Sequence, residues 1–276
     1  MKFFPFCLLV VPALVVATAC TRKNVPSRVE DRSPDARAAE SPEQAARSTL
    51  ASQAAHAVPE VDESHLRETA EEYIARRGAE TKPFEPGEIA PSAVGPVAAC
   101  MTCHGAQGEG IPALATPRIG GMPAWYLARE LKYFHVGVRA ASVDDVQGTQ
   151  MRAVLLASRT DAAGLEDLAG YFATFDPPPA PALESGNAAH GEQLFATCVA
   201  CHGVDGRGSA ALNTPSLVEQ DGDYLVRQID NFRSGIRGAD MRDLFGQQMR
   251  AVAGSLITSH EDAVDVVAYI GSLRGD

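Results

Sequence analysis

Two short stretches of the sequence contain residue types that bind metals or carry out redox chemistry. They read "CMTCHG" and "CVACHG", and each places two cysteines three residues apart with a histidine directly after the second. The residues concerned are Cys100, Cys103 and His104 in the first stretch and Cys198, Cys201 and His202 in the second. Cysteine pairs of this spacing occur in zinc sites, in redox-active dithiols and in attachment sites for c-type haem.

Zinc and dithiol chemistry both fit these stretches poorly. A structural zinc ion needs four ligands in one tetrahedral site, and each stretch supplies only three. A dithiol of the thioredoxin kind is expected beside a βαβ pattern, which the sequence lacks. In c-type haem attachment, two thiols add to the two vinyl groups of the haem, and the following histidine lies under the iron. We therefore predict two covalently attached c-type haems, with His104 and His202 as iron ligands.

The two stretches belong to a long internal repeat. Held at an offset of 98 residues without gaps, residues 100–154 match residues 198–252 at 24 of 55 positions. Two copies of one domain explain this agreement. A residue that the same chemistry needs in both copies should therefore be present in both.

This comparison selects a second iron ligand. Of the methionines from residue 100 onward, only Met151 and Met249 occupy equivalent positions, and each follows its motif histidine by 47 residues. Methionines that merely fill gaps in the core are the alternative. Ligation by histidine and methionine raises the reduction potential and leaves no open coordination position, which favours electron transfer over substrate chemistry.

The elements that must position these residues are predicted to be helical. Helices are expected over 124–136 and 222–234, each ending at a glycine (Gly137 and Gly235), over 164–175 and 261–273, and over 187–201. The stretch before Cys100 contains Pro91 and Pro96, so its helix should be poorer. Because no alternating strand pattern is present, we predict an all-α fold.

The N-terminal residues have the features of an export signal. Residues 1–19 contain one lysine and an apolar run that ends in "ATA" directly before Cys20. Cys20 resembles the lipidated cysteine of bacterial lipoproteins, although Ala17 stands where leucine is usual. Release into the periplasm after cleavage and an uncleaved anchor are the alternatives. All three place the folded part on the periplasmic side of a bacterial cytoplasmic membrane.

The remaining chain divides by composition. We predict a disordered tether over 20–60, a short helix ending at Gly78 with a linker over 61–83, a first haem domain over 84–176, a Pro-rich linker over 177–186 and a second haem domain over 187–276. The net charge of −11 argues against nucleic acid as a partner and is compatible with a basic surface on a partner protein.

Each copy resembles a class I cytochrome c domain, and the tandem resembles dihaem cytochromes of the c4 type. The resemblance is carried by the two haem motifs, "TP" at 116–117 and 214–215, "YLxR" with "FxxGxR", the repeated methionines, and "AGYF" and "VAYI" near the domain ends. It implies two all-α domains in tandem, each wrapped around one haem that lies between its histidine and its methionine.

Three further pairs of repeated residues are expected around the haems: Pro117 and Pro215, Arg139 and Arg237, and Tyr126 and Tyr224. The resemblance implies that each proline offers its carbonyl oxygen to Nδ1–H of the motif histidine. The arginines would pair with haem propionates, because a guanidinium matches a carboxylate, or form surface salt bridges. The tyrosines would pack near the haem or in the ordinary core.

The expected function is electron transfer, with one electron per haem. The chain would carry electrons between a membrane respiratory donor, such as a quinol-oxidising complex, and a terminal oxidase or other reductase, with no small-molecule substrate of its own. A fixed subunit of a larger dehydrogenase or oxidase complex is the first alternative. A dihaem peroxidase or a thiosulfate dehydrogenase-like enzyme is the second, and it would need a haem with a replaceable distal ligand.

Overall fold

The computed structural model of the protein describes residues 66–80 and 94–274. Regular structure in these ranges is helical, apart from isolated bridges at Ile111–Thr116 and Ser209–Thr214. The helices are α1 (Ala70–Glu80), α2 (Val94–His104), α3 (Ala124–His135), α4 (Val146–Ser158), α5 (Ala162–Ala173), α6 (Ala188–His202), α7 (Gly222–Ser234), α8 (Leu244–Leu256) and α9 (His260–Ser272). The predicted all-α fold is confirmed. Predictions for residues 1–65, including Cys20, and for the linker before residue 94 lie outside the described ranges.

The repeat in the sequence is a repeat in the fold. Helices α2–α5 form the first domain, and α6–α9 form the second in the same order. In both domains the motif histidine is the last residue of the entering helix, and the repeated methionine lies on the third helix. In the described ranges, no helix combines the length and apolar character that crossing a membrane requires.

The two entering helices differ as the prolines predict. Helix α2 has 11 residues and contains Pro96, whereas α6 has 15 residues. In the second domain α6 crosses α9 at Gly191, where an added Cβ would lie 1.9 Å from the carbonyl oxygen of Asp265. There the ring of Phe195 packs 5.4 Å from that of Tyr269. The first domain has the smaller Val97 at the position of Phe195, so its entering helix has less apolar surface with which to pack.

The short helix before the first domain was predicted to end at Gly78, and this was wrong: α1 continues to Glu80. It begins after Thr69, whose hydroxyl accepts a hydrogen bond from the backbone N–H of Glu72, while the Glu72 carboxylate accepts from that of Thr69. The buried Tyr73 joins the core of the first domain. A glycine inside a helix costs only about 1 kcal/mol, which these contacts offset.

The two domains are joined by reciprocal hydrogen bonds. The Gln220 side chain accepts from the backbone N–H of Arg118 at 2.9 Å and donates to the Arg118 carbonyl oxygen at 3.0 Å. Arg118 also donates to the carbonyl of Pro178 in the linker, and Arg274 donates to the carbonyl of Ala180. The Pro-rich linker is therefore held by one arginine from each domain.

Candidate functional site

Each domain contains one large, mainly apolar cavity. The cavity in the first domain has a volume of about 270 Å³, and the cavity in the second about 190 Å³. The first is lined by Cys100, Cys103, His104 and Met151, and the second by Cys198, Cys201, His202 and Met249, among other residues. The structure thus brings each predicted set of four residues to a single cavity.

The motif histidines are held in one orientation. Nδ1 of His104 lies 2.9 Å from the carbonyl oxygen of Pro117, and Nδ1 of His202 lies 3.2 Å from that of Pro215. A carbonyl oxygen can only accept, so Nδ1 carries the proton. Burial lowers the pKa of both imidazoles. The neutral ring then leaves the Nε2 lone pair available to a metal ion.

The threonine of each "TP" pair fixes the same loop to the motif. The Thr116 hydroxyl donates to the carbonyl of Cys103 and accepts from the backbone N–H of Ile111. Thr214 does the same with the carbonyl of Cys201, at 2.6 Å, and with the backbone N–H of Ser209. The role of the threonine was not predicted from the sequence, from which only the proline of this pair was assigned one.

The first thiol of each motif has a raised pKa, whereas a redox-active dithiol has a lowered one. Burial raises the pKa of Cys100 to about 11 and also raises the pKa of Cys198. Catalytic dithiols have lowered pKa values, since the thiolate is the reactive form. The first cysteine of each motif therefore lacks the environment that lowers the pKa of a redox-active thiol.

The helices that carry the methionines begin at buried aspartates. The Asp145 carboxylate accepts from the backbone N–H of Gly148 at 2.9 Å, and Asp243 accepts from that of Gly246 at 2.7 Å. An added Cβ would lie 2.1 Å from Asp145 at Gly148 and 1.9 Å from Asp243 at Gly246. The repeated "DxxG" is the sequence signal for these caps, although no role was predicted from it for the two aspartates.

The two predicted propionate partners meet between the domains. Arg139 and Arg237 both donate to Glu130, Arg237 at 2.8 Å, and both donate to Gln228, at 3.3 and 2.9 Å. Burial alone would raise the pKa of the Glu130 carboxyl, but Arg237 and Arg139 outweigh it and hold that pKa below its usual range. Glu130 is therefore an ionised carboxylate between two guanidinium groups.

The arginines around the cavities fit a ligand that carries carboxylates. Within the described ranges, Nε is buried without a hydrogen-bond partner in each of Arg129, Arg139, Arg227 and Arg237. All four side chains line one or the other cavity. Buried N–H groups of this kind require acceptors, and the propionates of haem are carboxylates. The donor set thus suits haem at both cavities.

The predicted tyrosines line both cavities at once. Tyr126 and Tyr224 each contribute to the wall of both. Burial raises the pKa of Tyr126 to about 12. Arg129 lies over the Tyr126 ring at 5.5 Å, and Arg227 lies over the Tyr224 ring at 5.3 Å. The tyrosines are therefore part of the boundary between the two sites rather than of one domain's core.

Two helical domains, each with an attachment motif, an oriented histidine and a methionine at one apolar cavity, define a tandem c-type haem protein. The chain belongs to the cytochrome c family, since the family model described as "Cytochrome c" matches residues 94–175 and 188–274. The protein accordingly carries two c-type haems.

Known relatives agree with this assignment. The chain is 36% identical over 154 residues to a thiosulfate dehydrogenase electron acceptor of Thiomonas intermedia, which covers 52% of this chain and 66% of that protein. It is 32% identical to the protein of the same name from Stutzerimonas stutzeri, over 62% of this chain and 76% of that one.

A solved structure extends the comparison to the fold. Cytochrome c4 of Acidithiobacillus ferrooxidans matches with a TM-score of 0.51 and 26% identity, over 63% of this chain and 98% of that one. The predicted resemblance to dihaem cytochromes of the c4 type is confirmed. The chain is a dihaem, cytochrome c4-like electron carrier.

Proposed function

We propose that this carrier works on the periplasmic side of the cytoplasmic membrane with two similar haem sites, ligated by His104 with Met151 and by His202 with Met249. The observation that carries the proposal is the pairing itself: each cavity is lined by one motif histidine and by the methionine that occurs in both copies. The haem iron supplies a reversible one-electron couple. With haem bound, each pair of histidine and methionine would hold the iron of its domain, which would leave no coordination site for a substrate.

A spectroscopic redox titration of Met151→Ala and Met249→Ala tests this ligand assignment. Each variant should lose about half of the weak red absorption band of methionine-ligated ferric haem and should lower the potential of one haem. Met241→Ala is the control, because Met241 is 74% exposed and lines neither cavity. An undiminished band in either ligand variant would overturn the assignment for that domain.

Exposed apolar residues at the cavities support exchange of electrons with other proteins. Leu114 and Val154 line the first cavity yet are 51% and 42% exposed. Their equivalents Leu212 and Val252 line the second cavity and are 50% and 37% exposed. We infer that a redox partner docks over these residues, because they form the exposed part of the wall of the cavity that would hold the haem.

The donor that we favour is a dehydrogenase of the kind after which the relatives are named, with a terminal oxidase or other reductase as acceptor. Anaerobic mixing of the oxidised chain with thiosulfate, with and without a purified thiosulfate dehydrogenase, tests this. Reduction only when the enzyme is present supports the proposed donor. Reduction by thiosulfate alone would assign dehydrogenase activity to the chain itself, and no reduction in either mixture would exclude this donor.

Purification in mild detergent distinguishes a mobile carrier from a fixed subunit. A mobile carrier should migrate alone, whereas a fixed subunit should migrate with its partner.

The location is proposed from residues 1–20. Mass spectrometry of the mature N-terminus, with Cys20→Ser as the comparison, distinguishes the modes of export. We expect the mature wild type to begin with a lipidated Cys20. The Cys20→Ser variant should lack the lipid and should be released from membranes. An unmodified N-terminus beginning at or after Cys20 would instead indicate release into the periplasm.

A further inference from the structure

The two haem cavities borrow part of their walls from each other. The first domain contributes to the second cavity Met122, Tyr126, Arg129 and Glu130. The second domain contributes to the first cavity the residues at the equivalent positions, which are Gln220, Tyr224, Arg227 and Gln228. The tyrosines, Glu130 and Gln228 line both cavities. Of the two cavities, Arg129 lines only the second and Arg227 only the first, so each arginine lies at the cavity of the other domain.

Arg129 is inserted into the second domain. Its guanidinium carbon lies 4.8 Å from the ring centroid of Phe245, and both Nη atoms lie 3.4 Å from the carbonyl oxygen of Asn213. Arg227 makes the equivalent contact in the other direction, and its Nη2 donates to the carbonyl oxygen of Ala115 at 2.7 Å. The two acceptors are themselves equivalent residues in the repeat.

The carbonyls that these arginines bind belong to the loops that orient the iron-binding histidines. Asn213 is two residues before Pro215, which binds His202, and Ala115 is two residues before Pro117, which binds His104. Asn213 and Ala115 have positive φ angles of 57° and 54°. Residues other than glycine adopt this conformation at a cost and keep it only where surrounding contacts hold it.

We propose that Arg129 and Arg227 are positioning residues that act across the domain boundary. Each holds the loop behind the proximal histidine of the other domain and raises the reduction potential of the other domain's haem. The physical reason is electrostatic. A haem that accepts an electron loses one unit of positive charge, so a nearby cation in a medium of low dielectric constant stabilises the reduced form. Arg139 and Arg237 line the cavities of their own domains, whereas Arg129 and Arg227 each add a positive charge from the other half of the chain.

The proposal predicts a crossed pattern of potentials in the full-length holoprotein. Arg129→Gln should lower the potential of the second haem more than that of the first, and Arg227→Gln should do the reverse. The inference rests on the proposed function because it concerns the same haems. The assignment of each measured potential to one haem, however, does not depend on methionine being an iron ligand. Nuclear magnetic resonance can identify each haem by its contact with Phe134, which lines only the first cavity, or Phe232, which lines only the second.

Arg233→Gln is the matched control. Arg233 lies on α7 like Arg227, pairs with Asp230 at 3.0 Å and lines neither cavity, so its loss should move neither potential appreciably. Arg129→Lys and Arg227→Lys keep the charge and should show a smaller crossed shift of the potentials. If a glutamine variant fails to fold, the lysine variant of the same arginine is compared with the wild type instead. Equal shifts of both haems, or a larger shift in the arginine's own domain, would overturn the proposal.

Discussion

Glu130 and Gln228 lie at equivalent positions of the two domains, and each accepts hydrogen bonds from both Arg139 and Arg237. The interface is thus nearly symmetric in shape but asymmetric in charge. Two carboxylates at these positions would repel each other at close range, whereas two amides would leave both guanidinium groups without a carboxylate in hydrogen-bonding contact. One acid and one amide satisfy the hydrogen bonds with a single negative charge.

Replacing Glu130 with glutamine should weaken the join between the domains and raise both reduction potentials. Loss of one partner from a buried ion pair costs about 3 kcal/mol. Since Glu130 lines both cavities, removal of its negative charge makes reduction of either haem easier. Denaturant unfolding and a redox titration measure the two effects. Glu192→Gln is the control, because Glu192 is an exposed residue of α6. A fall in either reduction potential in the Glu130→Gln variant would contradict the prediction.

The four residues that line each cavity together could be selected from the sequence because it contains its own comparison. The repeat separates Met151 and Met249 from three other methionines, and the motif fixes the histidines by spacing alone. A covalent haem motif specifies local chemistry, so it needs no knowledge of tertiary contacts. The fold class followed for the same reason, since helical periodicity is a local property.

The interface was not predictable in the same way. A repeat shows that Arg129 and Arg227 are equivalent, but it cannot show whether each contacts its own domain or the other. Both arrangements leave the same sequence pattern. The prediction of where α1 ends was wrong for a related reason. Gly78 is a local stop signal, and the contacts of Tyr73 and Arg76 with the first domain outweigh it.

Removing the caps of the methionine helices should loosen the methionines before the domains unfold. Asp145→Ala and Asp243→Ala each lose a side-chain acceptor for the first turn of α4 or α8, at a cost of about 1 kcal/mol. Because the methionine lies six residues after each aspartate, the red absorption band should be lost at a lower temperature than the helical circular dichroism.

Asp161→Ala provides the control for this effect. Asp161 caps α5 in the same manner, by accepting from the backbone N–H of Gly164 at 2.9 Å, but α5 carries no methionine. A similar loss of stability with the band and the helices melting together is expected. If Asp161→Ala separated the two transitions as strongly as Asp145→Ala, the caps would have no specific connection to the ligands.

The attachment of α1 to the first domain should depend on pH through Glu166. Its carboxylate accepts from Arg76 at 2.7 Å and from Lys132 at 2.8 Å. Burial alone would raise the pKa of this carboxyl, but the hydrogen bonds and charges of Arg76 and Lys132 lower it to about 2, from an ordinary value of 4.5. A lowered pKa means that the stabilisation is complete above pH 4.5 and is lost as the pH falls towards 2.

Glu166→Gln should therefore lower the free energy of unfolding by about 2 kcal/mol at neutral pH, and this difference from the wild type should shrink as the pH falls below 4.5. Denaturant unfolding at a series of pH values measures it. Glu71→Gln changes an exposed carboxylate in the first turn of α1 and should show neither the loss nor its pH dependence. A constant difference between the wild type and Glu166→Gln from neutral pH to pH 2 would mean that the carboxylate contributes by packing rather than by its charge.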